Sequence, residues 1–357
     1  LPVPSGIERH FGTTMPQMPS SSLRTASALI DHGLAVDADR EVLEQVAERY
    51  AIAMTPEVAG LIDPNDSNDP IARQFIPHAD ELVTTVEEMG DPIGDAAHSP
   101  IKGIVHRYPD RVLLKPLHAC PVYCRFCFRR EQVGPGGEML SDAELDGALH
   151  YIRSHPEIWE VILTGGDPLI LSPRRLCAIL DALEAIPHVM TLRIHSRVPV
   201  VDPTRVTRAL LAVLRRRKPL WIAIHANHPR ELTGEAATAC ARLVKAGAIL
   251  LGQSVLLRGV NDDVHVLEHL FRAMVACRIK PYYLHHPDRA PGTARFRLTI
   301  AEGQTIMRQL RGRLSGVAQP TYVLDIPGGA GKVPVGPNSI EGGGVRDPAG
   351  RLHIYPE

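Results

Sequence analysis

Cys120, Cys124 and Cys127 stand in the run Cys120-Pro-Val-Tyr-Cys124-Arg-Phe-Cys127, a C-x3-C-x2-C spacing with no fourth cysteine nearby. Three thiolates can hold three irons of a 4Fe-4S cluster and leave the fourth iron open to a ligand. An electron-transfer ferredoxin supplies four cysteines per cluster, and a structural zinc site is closed by four ligands. An incomplete set therefore points to chemistry at the vacant position. Three unrelated core cysteines are the plainer alternative, since free Cys is among the most buried residue types. Half of the chain's six cysteines falling within eight residues argues against it.

Two further segments carry chemical residue types. In Leu163-Thr164-Gly165-Gly166-Asp167-Pro168, paired glycines let backbone approach a ligand, and a carboxylate beside them can accept from an ammonium group. Alone, such a run is a turn. In Asp325-Ile326-Pro327-Gly328-Gly329-Ala330-Gly331-Lys332-Val333-Pro334, glycines precede a lone lysine, which suits an amine that forms a Schiff base with an aldehyde cofactor. A phosphate loop fails because Val333 stands where G-x4-G-K-S/T needs a hydroxyl. A surface turn with a solvated lysine is the competing reading of that stretch.

The elements that must position these residues follow from pattern. Residues 1 to about 100 read mainly as helices, with Val42, Leu43, Val46 and Ala47 at helical spacing within Asp39–Ala51. Beyond residue 100, apolar strands at Val112–Lys115, Glu160–Leu163, Thr191–Ile194, Leu220–His225, Ile249–Val255, Lys280–Leu284 and Tyr322–Leu324 alternate with amphipathic stretches. The helices expected between them include Asp142–Ser154, Pro173–Ala185, Thr204–Arg215 and Gly234–Ala246. This alternation predicts an α/β fold, a partial (β/α)6-type barrel with its site at the C-terminal strand ends. An open doubly wound sheet is the rival. The expected division is an N-terminal helical region (1–100), a barrel core (101–326) and an irregular C-terminal extension (327–357) rich in Gly and Pro.

With 357 residues, 44% hydrophobic and 22% charged, the chain has ample material for a globular core. A net charge of −1 implies neither a nucleic-acid partner nor an anionic membrane. Arg215-Arg216-Arg217-Lys218 follows a helix-like stretch and suits a helix C-terminus. No apolar run reaches the ~18 residues of a membrane span, and Leu1-Pro2-Val3-Pro4 lacks the layout of a secretory signal. Cys177, Cys240 and Cys277 read as buried free thiols, so a reducing, cytoplasmic location is expected.

Together the motifs resemble the lysine 2,3-aminomutase family, radical S-adenosylmethionine (SAM) enzymes that also carry pyridoxal 5'-phosphate (PLP). The resemblance runs from about Pro92 to Val335 and includes His106-Arg107-Tyr108-Pro109-Asp110-Arg111, the cysteine loop continuing into Arg129-Arg130, and Asp325 to Lys332. It implies a 4Fe-4S cluster on Cys120, Cys124 and Cys127, with SAM at the open iron. Gly165, Gly166 and Asp167 would receive the amino group of SAM, and Gln253 would lie near it. Lys332 would be the PLP lysine, and Arg107, Tyr108 and Arg111 would hold the phosphate. Arg129 would bind the substrate carboxylate. Asp288, eight residues before Phe296-Arg297, and Asp325 would grip a distal ammonium, which favours lysine over glutamate.

The implied reaction interconverts L-lysine and β-lysine, with the substrate joined to PLP and a 5′-deoxyadenosyl radical removing hydrogen from C3. An external electron donor is required, and a homo-oligomer is compatible with the resemblance. Two departures stand out. No Cys follows Cys277, so the C-terminal zinc site of the long enzymes is not expected, and Phe126 occupies a position that is histidine in them. The length and Tyr282-Tyr283-Leu284-His285 are similar to the shorter relatives that make β-lysine for elongation factor P. The alternatives are another cationic amino acid such as arginine, SAM chemistry without PLP, or a non-enzymatic Fe–S protein.

Overall fold

The computed structural model describes residues 19, 21–134, 137, 139–341, 343–348 and 350–354; the reading of Leu1 to Pro4 lies outside them. Among the described residues, short helices come first: α1 (Ala26–Asp31), α2 (Arg40–Arg49), α3 (Pro56–Ala59) and α4 (Pro70–Phe75). Leu43 and Val46 of α2 are buried, as its spacing predicts. Each of α1, α3 and α4 starts where a side chain (Thr25, Thr55, Asp69) accepts from a first-turn backbone N–H.

A nine-stranded sheet follows in sequential order. Its strands are β1 (Ile104–Tyr108), β2 (Arg111–Leu117), β3 (Glu160–Gly165), β4 (Thr191–Ser196), β5 (Leu220–His225), β6 (Ile249–Val255), β7 (Lys280–His285), β8 (Thr321–Ile326) and β9 (Gly331–Pro334). Strands β2 to β8 pair in parallel, while β1 and β9 are antiparallel flaps on the two edges. The crossovers are α5 (Asp142–Arg153), α6 (Pro173–Glu184), α7 (Val198–Val201) with α8 (Arg208–Val213), α9 (Gly234–Lys245), α10 (Val264–Ala276) and α11 (Ile300–Arg311). Parallel strands need such crossovers, and their regular succession gives a nearly closed barrel of six βα units.

Local chemistry starts each long crossover helix. Ser141, Ser172, Thr233, Asp263 and Thr299 are side-chain caps, and Glu144 and Glu302 complete capping boxes at α5 and α11. Each helix buries one stripe against the sheet, as Leu176, Ile179, Leu180 and Leu183 do on α6. Such a side chain contributes about 1.5–3 kcal/mol when fully buried. The helix expected over Thr204–Arg215 is shorter, because Pro203–Arg205 forms a separate 3-10 turn and Thr207 caps α8 at Leu210. Beyond it, Arg216 pairs with Asp181 and Arg217 is exposed.

Strand alternation divides the barrel. Leu192 and Ile194 of β4, and Ile222 and Ile224 of β5, are fully buried beneath the helices. Their neighbours Arg193, His195 and His225 line the interior. The segment read as irregular beyond Pro327 contains regular pieces. Strand β9 returns along β8, and β10 (Ile340–Glu341), β11 (Gly344–Arg346) and β12 (Leu352–Ile354) form a small antiparallel sheet.

Candidate active site

The barrel encloses a cavity of about 820 Å³. Cys120, Cys124 and Cys127, Gly166, Asp167, Gln253, Arg107, Tyr108, Arg111, Arg129, Asp288, Asp325 and Lys332 all line it, so residues more than 200 positions apart in sequence converge there. Gly165, of the same set, sits behind the lining at the end of β3.

The cysteine loop leaves β2 and is fixed from several sides. Tyr123 N–H donates to Ala53 O at 3.0 Å and Arg125 N–H to Gln74 O at 2.8 Å, which ties the loop to the N-terminal region. Gly166 N–H donates to Leu117 O and Asp167 N–H to Ala119 O, which stitches it to the glycine turn. A Cβ on Gly166 would lie 2.1 Å from Ala119 O, and Gly165 has φ +101°, so both positions require glycine.

Burial is the main cause that raises all three thiol pKa values, with Cys127 pushed up to about 11, and proximity among the thiols adds to it at Cys120 and Cys127. Arg197 opposes the shift at Cys124 by donating from Nη1 to Sγ at 2.8 Å. Three half-buried thiols that interact with one another fit a cluster, whose irons would stabilise the thiolates.

Asp167 differs from its expected role. Its carboxylate accepts from Ser196 Oγ, the backbone N–H groups of Arg197 and Val198, and the N–H of Leu169. Four donors, with Ser196 Oγ in reach of both oxygens, occupy the acceptor positions of a carboxylate. The side chain thus joins the β3 turn to the start of α7 and offers no open acceptor for a ligand's amino group.

At the other end of the cavity, the Pro327–Gly329 turn folds β9 onto β8 and sets Asp325 directly opposite Lys332. Gly328, Gly329 and Gly331 have φ of +79°, +88° and +112°, so the glycines build a fixed hairpin here. Lys332 Nζ ion-pairs with Asp325 Oδ2 and lies 3.2 Å from His285 Nδ1. Its backbone N–H donates to Tyr108 Oη at 2.7 Å, joining the two edge flaps. Arg111 stacks over the Tyr108 ring at 3.8 Å and pairs with Asp110 at 2.6 Å. Asp288 titrates at about 7, raised chiefly by burial and then by Asp325, against the pull of Lys332, Arg129 and Arg107.

Sequence reasoning missed the buried acids that hold the cations. Asp95 Oδ2 accepts from Arg129 Nε at 3.1 Å and Nη2 at 2.8 Å, while Oδ1 lies 3.5 Å from Arg107. Burial alone would raise the Asp95 pKa, but Arg129, Lys115 and Arg107 bring it below its ordinary value. Glu81 is wholly buried and takes Arg125 and Arg130 from the cysteine loop, with Arg295 3.7 Å away. Also missed was the layer of His195, His225 and His285 on the inner face of the sheet. All three are held neutral, first by burial and then by surrounding cations. Histidines at or near the ends of three predicted strands were the available signal.

Two family models match the chain: the radical SAM superfamily over residues 114–270 and lysine-2,3-aminomutase over 307–344. The L-lysine 2,3-aminomutase of Clostridium subterminale is 44% identical over 302 residues, covering 85% of this chain and 73% of that protein. That of Acetoanaerobium sticklandii is 41% identical with the same coverage. The glutamate 2,3-aminomutase of Clostridioides difficile is 38% identical, covering 85% of this chain and 71% of its own. With the thiol loop, glycine turn and lysine hairpin gathered on one cavity, these similarities make the chain a member of the lysine 2,3-aminomutase family of radical SAM enzymes.

Proposed function

We propose that this protein is an L-lysine 2,3-aminomutase that interconverts L-lysine and β-lysine using a 4Fe-4S cluster, SAM and PLP. One observation carries the reading: a single cavity holds three gathered thiols, one amine on a rigid hairpin and two adjacent carboxylates. When bound, the cluster with SAM supplies a carbon-centred radical that removes a hydrogen atom from an unactivated carbon, and PLP supplies an aldehyde that captures an amine in a conjugated system.

The chain's own residues bind, orient and exclude water. Cys120, Cys124 and Cys127 hold the cluster, and the backbone of Gly166, supported from behind by Gly165, lines the place for SAM together with Gln253. Asp167 organises that backbone. Lys332 is the amine for PLP, and Arg107, Tyr108 and Arg111 are its phosphate subsite, since guanidinium groups bind phosphate through paired, charge-assisted hydrogen bonds. Arg129 binds the substrate carboxylate. Asp95 holds Arg129 by its Nε and Nη2 edge, which leaves Nη1 for the ligand.

Asp288 and Asp325 select the side chain. Each is largely buried, and the charge of Asp325 resists the ionisation of Asp288. A cationic side chain relieves that repulsion, whereas the carboxylate of glutamate increases it. Residues up to about 100 support the cysteine loop, residues 101–326 form the barrel, and the C-terminal segment carries Lys332. An external one-electron donor is required, and among the described residues no helix is long and apolar enough to cross a membrane.

The test offers L-lysine, L-arginine and L-glutamate separately to anaerobic, cluster-reconstituted protein with SAM, PLP and a reductant. β-Lysine formed from lysine, with the other two unchanged, is the expected result. Conversion of arginine or glutamate in preference to lysine would overturn the substrate assignment.

A further inference from the structure

His285 ends β7 inside the cavity, with Nδ1 3.2 Å from Lys332 Nζ and 3.9 Å from Asp325 Oδ2. A lysine ammonium has donors only, so Nδ1 is the acceptor and the ring proton belongs on Nε2. Nε2 is buried and has no hydrogen-bond partner among the described residues. Leaving such a donor unpaired is costly, which marks Nε2 as a group held for a ligand. The charged and titratable neighbours of the ring include Lys332, Asp325, His225, His195 and Tyr283, whose ring meets it edge-on at 5.6 Å. Burial and the cations among them keep the imidazole neutral, with a lone pair facing the ammonium.

We propose that His285 is a further catalytic residue, a proton relay between Lys332 Nζ and the oxygen that leaves when Lys332 joins the aldehyde of PLP. The proposal rests on Lys332 being the PLP lysine. An ammonium has no lone pair and cannot attack a carbonyl, so one proton must first leave Nζ. That N–H bond breaks and Nδ1–H forms. The free amine then bonds to the aldehyde carbon, and the carbonyl oxygen takes up one proton from nitrogen. The imidazolium next returns its Nδ1 proton to that oxygen, which sits on the carbon bonded to Nζ, the C–O bond breaks, and water departs. The ring ends neutral as the Nε2–H tautomer in which it began, the product is a protonated C=N bond, and no oxidant or reductant is needed. Asp325 is the ion-pair partner of Nζ among the described residues, and its role is to keep the lysine placed until the aldehyde arrives.

The test follows the visible absorbance of the Lys332–PLP imine after rapid mixing of cluster-loaded, PLP-free protein with PLP, without turnover. His285→Gln keeps hydrogen-bonding capacity but cannot relay a proton, and His285→Ala leaves room for added imidazole. We expect both variants to reach the wild-type PLP stoichiometry with the approach slowed about 100-fold, and imidazole to restore the rate of His285→Ala. Wild-type rates in both variants, or a slow His285→Ala unresponsive to imidazole beside a normal His285→Gln, would overturn the proposal. A wild-type protein that forms no imine would refute the PLP reading itself, and this proposal with it.

Discussion

Lysine affinity should depend on the protonation of Asp288. Its pKa of about 7 arises because burial and then Asp325 disfavour a second negative charge, more strongly than Lys332, Arg129 and Arg107 favour it. A substrate ammonium is bound well only by the ionised form. About half of Asp288 is ionised at pH 7, about one-tenth at pH 6 and about nine-tenths at pH 8, so KM for L-lysine should rise roughly fivefold from pH 7 to pH 6 and roughly tenfold for each pH unit below that. Lysine's side chain, with a pKa near ~10.4, stays charged throughout. Norleucine shares the backbone and lacks the ammonium, so its inhibition constant corrects for any pH effect on the rest of the cavity. Asp288→Asn should remove the slope and raise KM at pH 8 by roughly 30-fold or more, the loss of a desolvated charge pair at about 2–5 kcal/mol. A norleucine-corrected KM constant within about twofold from pH 6 to 8 would refute the reasoning. So would an unchanged profile in Asp288→Asn.

Glu81→Gln should cost about 3–5 kcal/mol, because it leaves the buried guanidinium groups of Arg125 and Arg130 uncompensated; thermal unfolding and iron content after reconstitution measure it. Burial alone would raise the Glu81 pKa, but Arg125, Arg130 and Arg295 hold it below 4.5, so its stabilisation is complete above that value and is lost as pH falls through the lowered folded one. Acid unfolding of wild type and Glu81→Gln should therefore converge below pH 4.5. Gly166→Ala places a Cβ against Ala119 O and should abolish SAM binding, read by the perturbation of the cluster's EPR signal. Ser141→Ala removes a helix cap that is not part of the cavity lining and should lower stability by about 1 kcal/mol with turnover unchanged.

The parts of this architecture legible in sequence are those written locally. Strands β5 and β6 coincide with their predicted spans because apolar, β-branched runs are bounded by turn residues, and crossover helices begin at readable caps. The edge strands β1 and β9 were not legible. Each is short, carries Arg107 or Lys332 among few apolar residues, and is stabilised by pairing with a neighbour. The cysteines, glycines and lysine were legible because their spacing is itself chemical. Glu81 and Asp95 were not, since an acidic residue in a polar loop has the pattern of a solvated one. Only the tertiary fold surrounds them with arginines. Asp167 shows the reverse: a motif residue whose carboxylate is engaged by Ser196 and α7, elements no short motif includes.

The central claim is that one cavity joins thiol-held radical chemistry to a lysine-held aldehyde. The most direct test is anaerobic turnover of L-lysine by wild type, Lys332→Ala and Cys124→Ala, scoring β-lysine and SAM cleavage together. The account predicts β-lysine from wild type alone, with SAM cleavage surviving in Lys332→Ala and lost in Cys124→Ala. β-Lysine from either variant at the wild-type rate, or intact SAM in wild type with a reducible cluster, would contradict it.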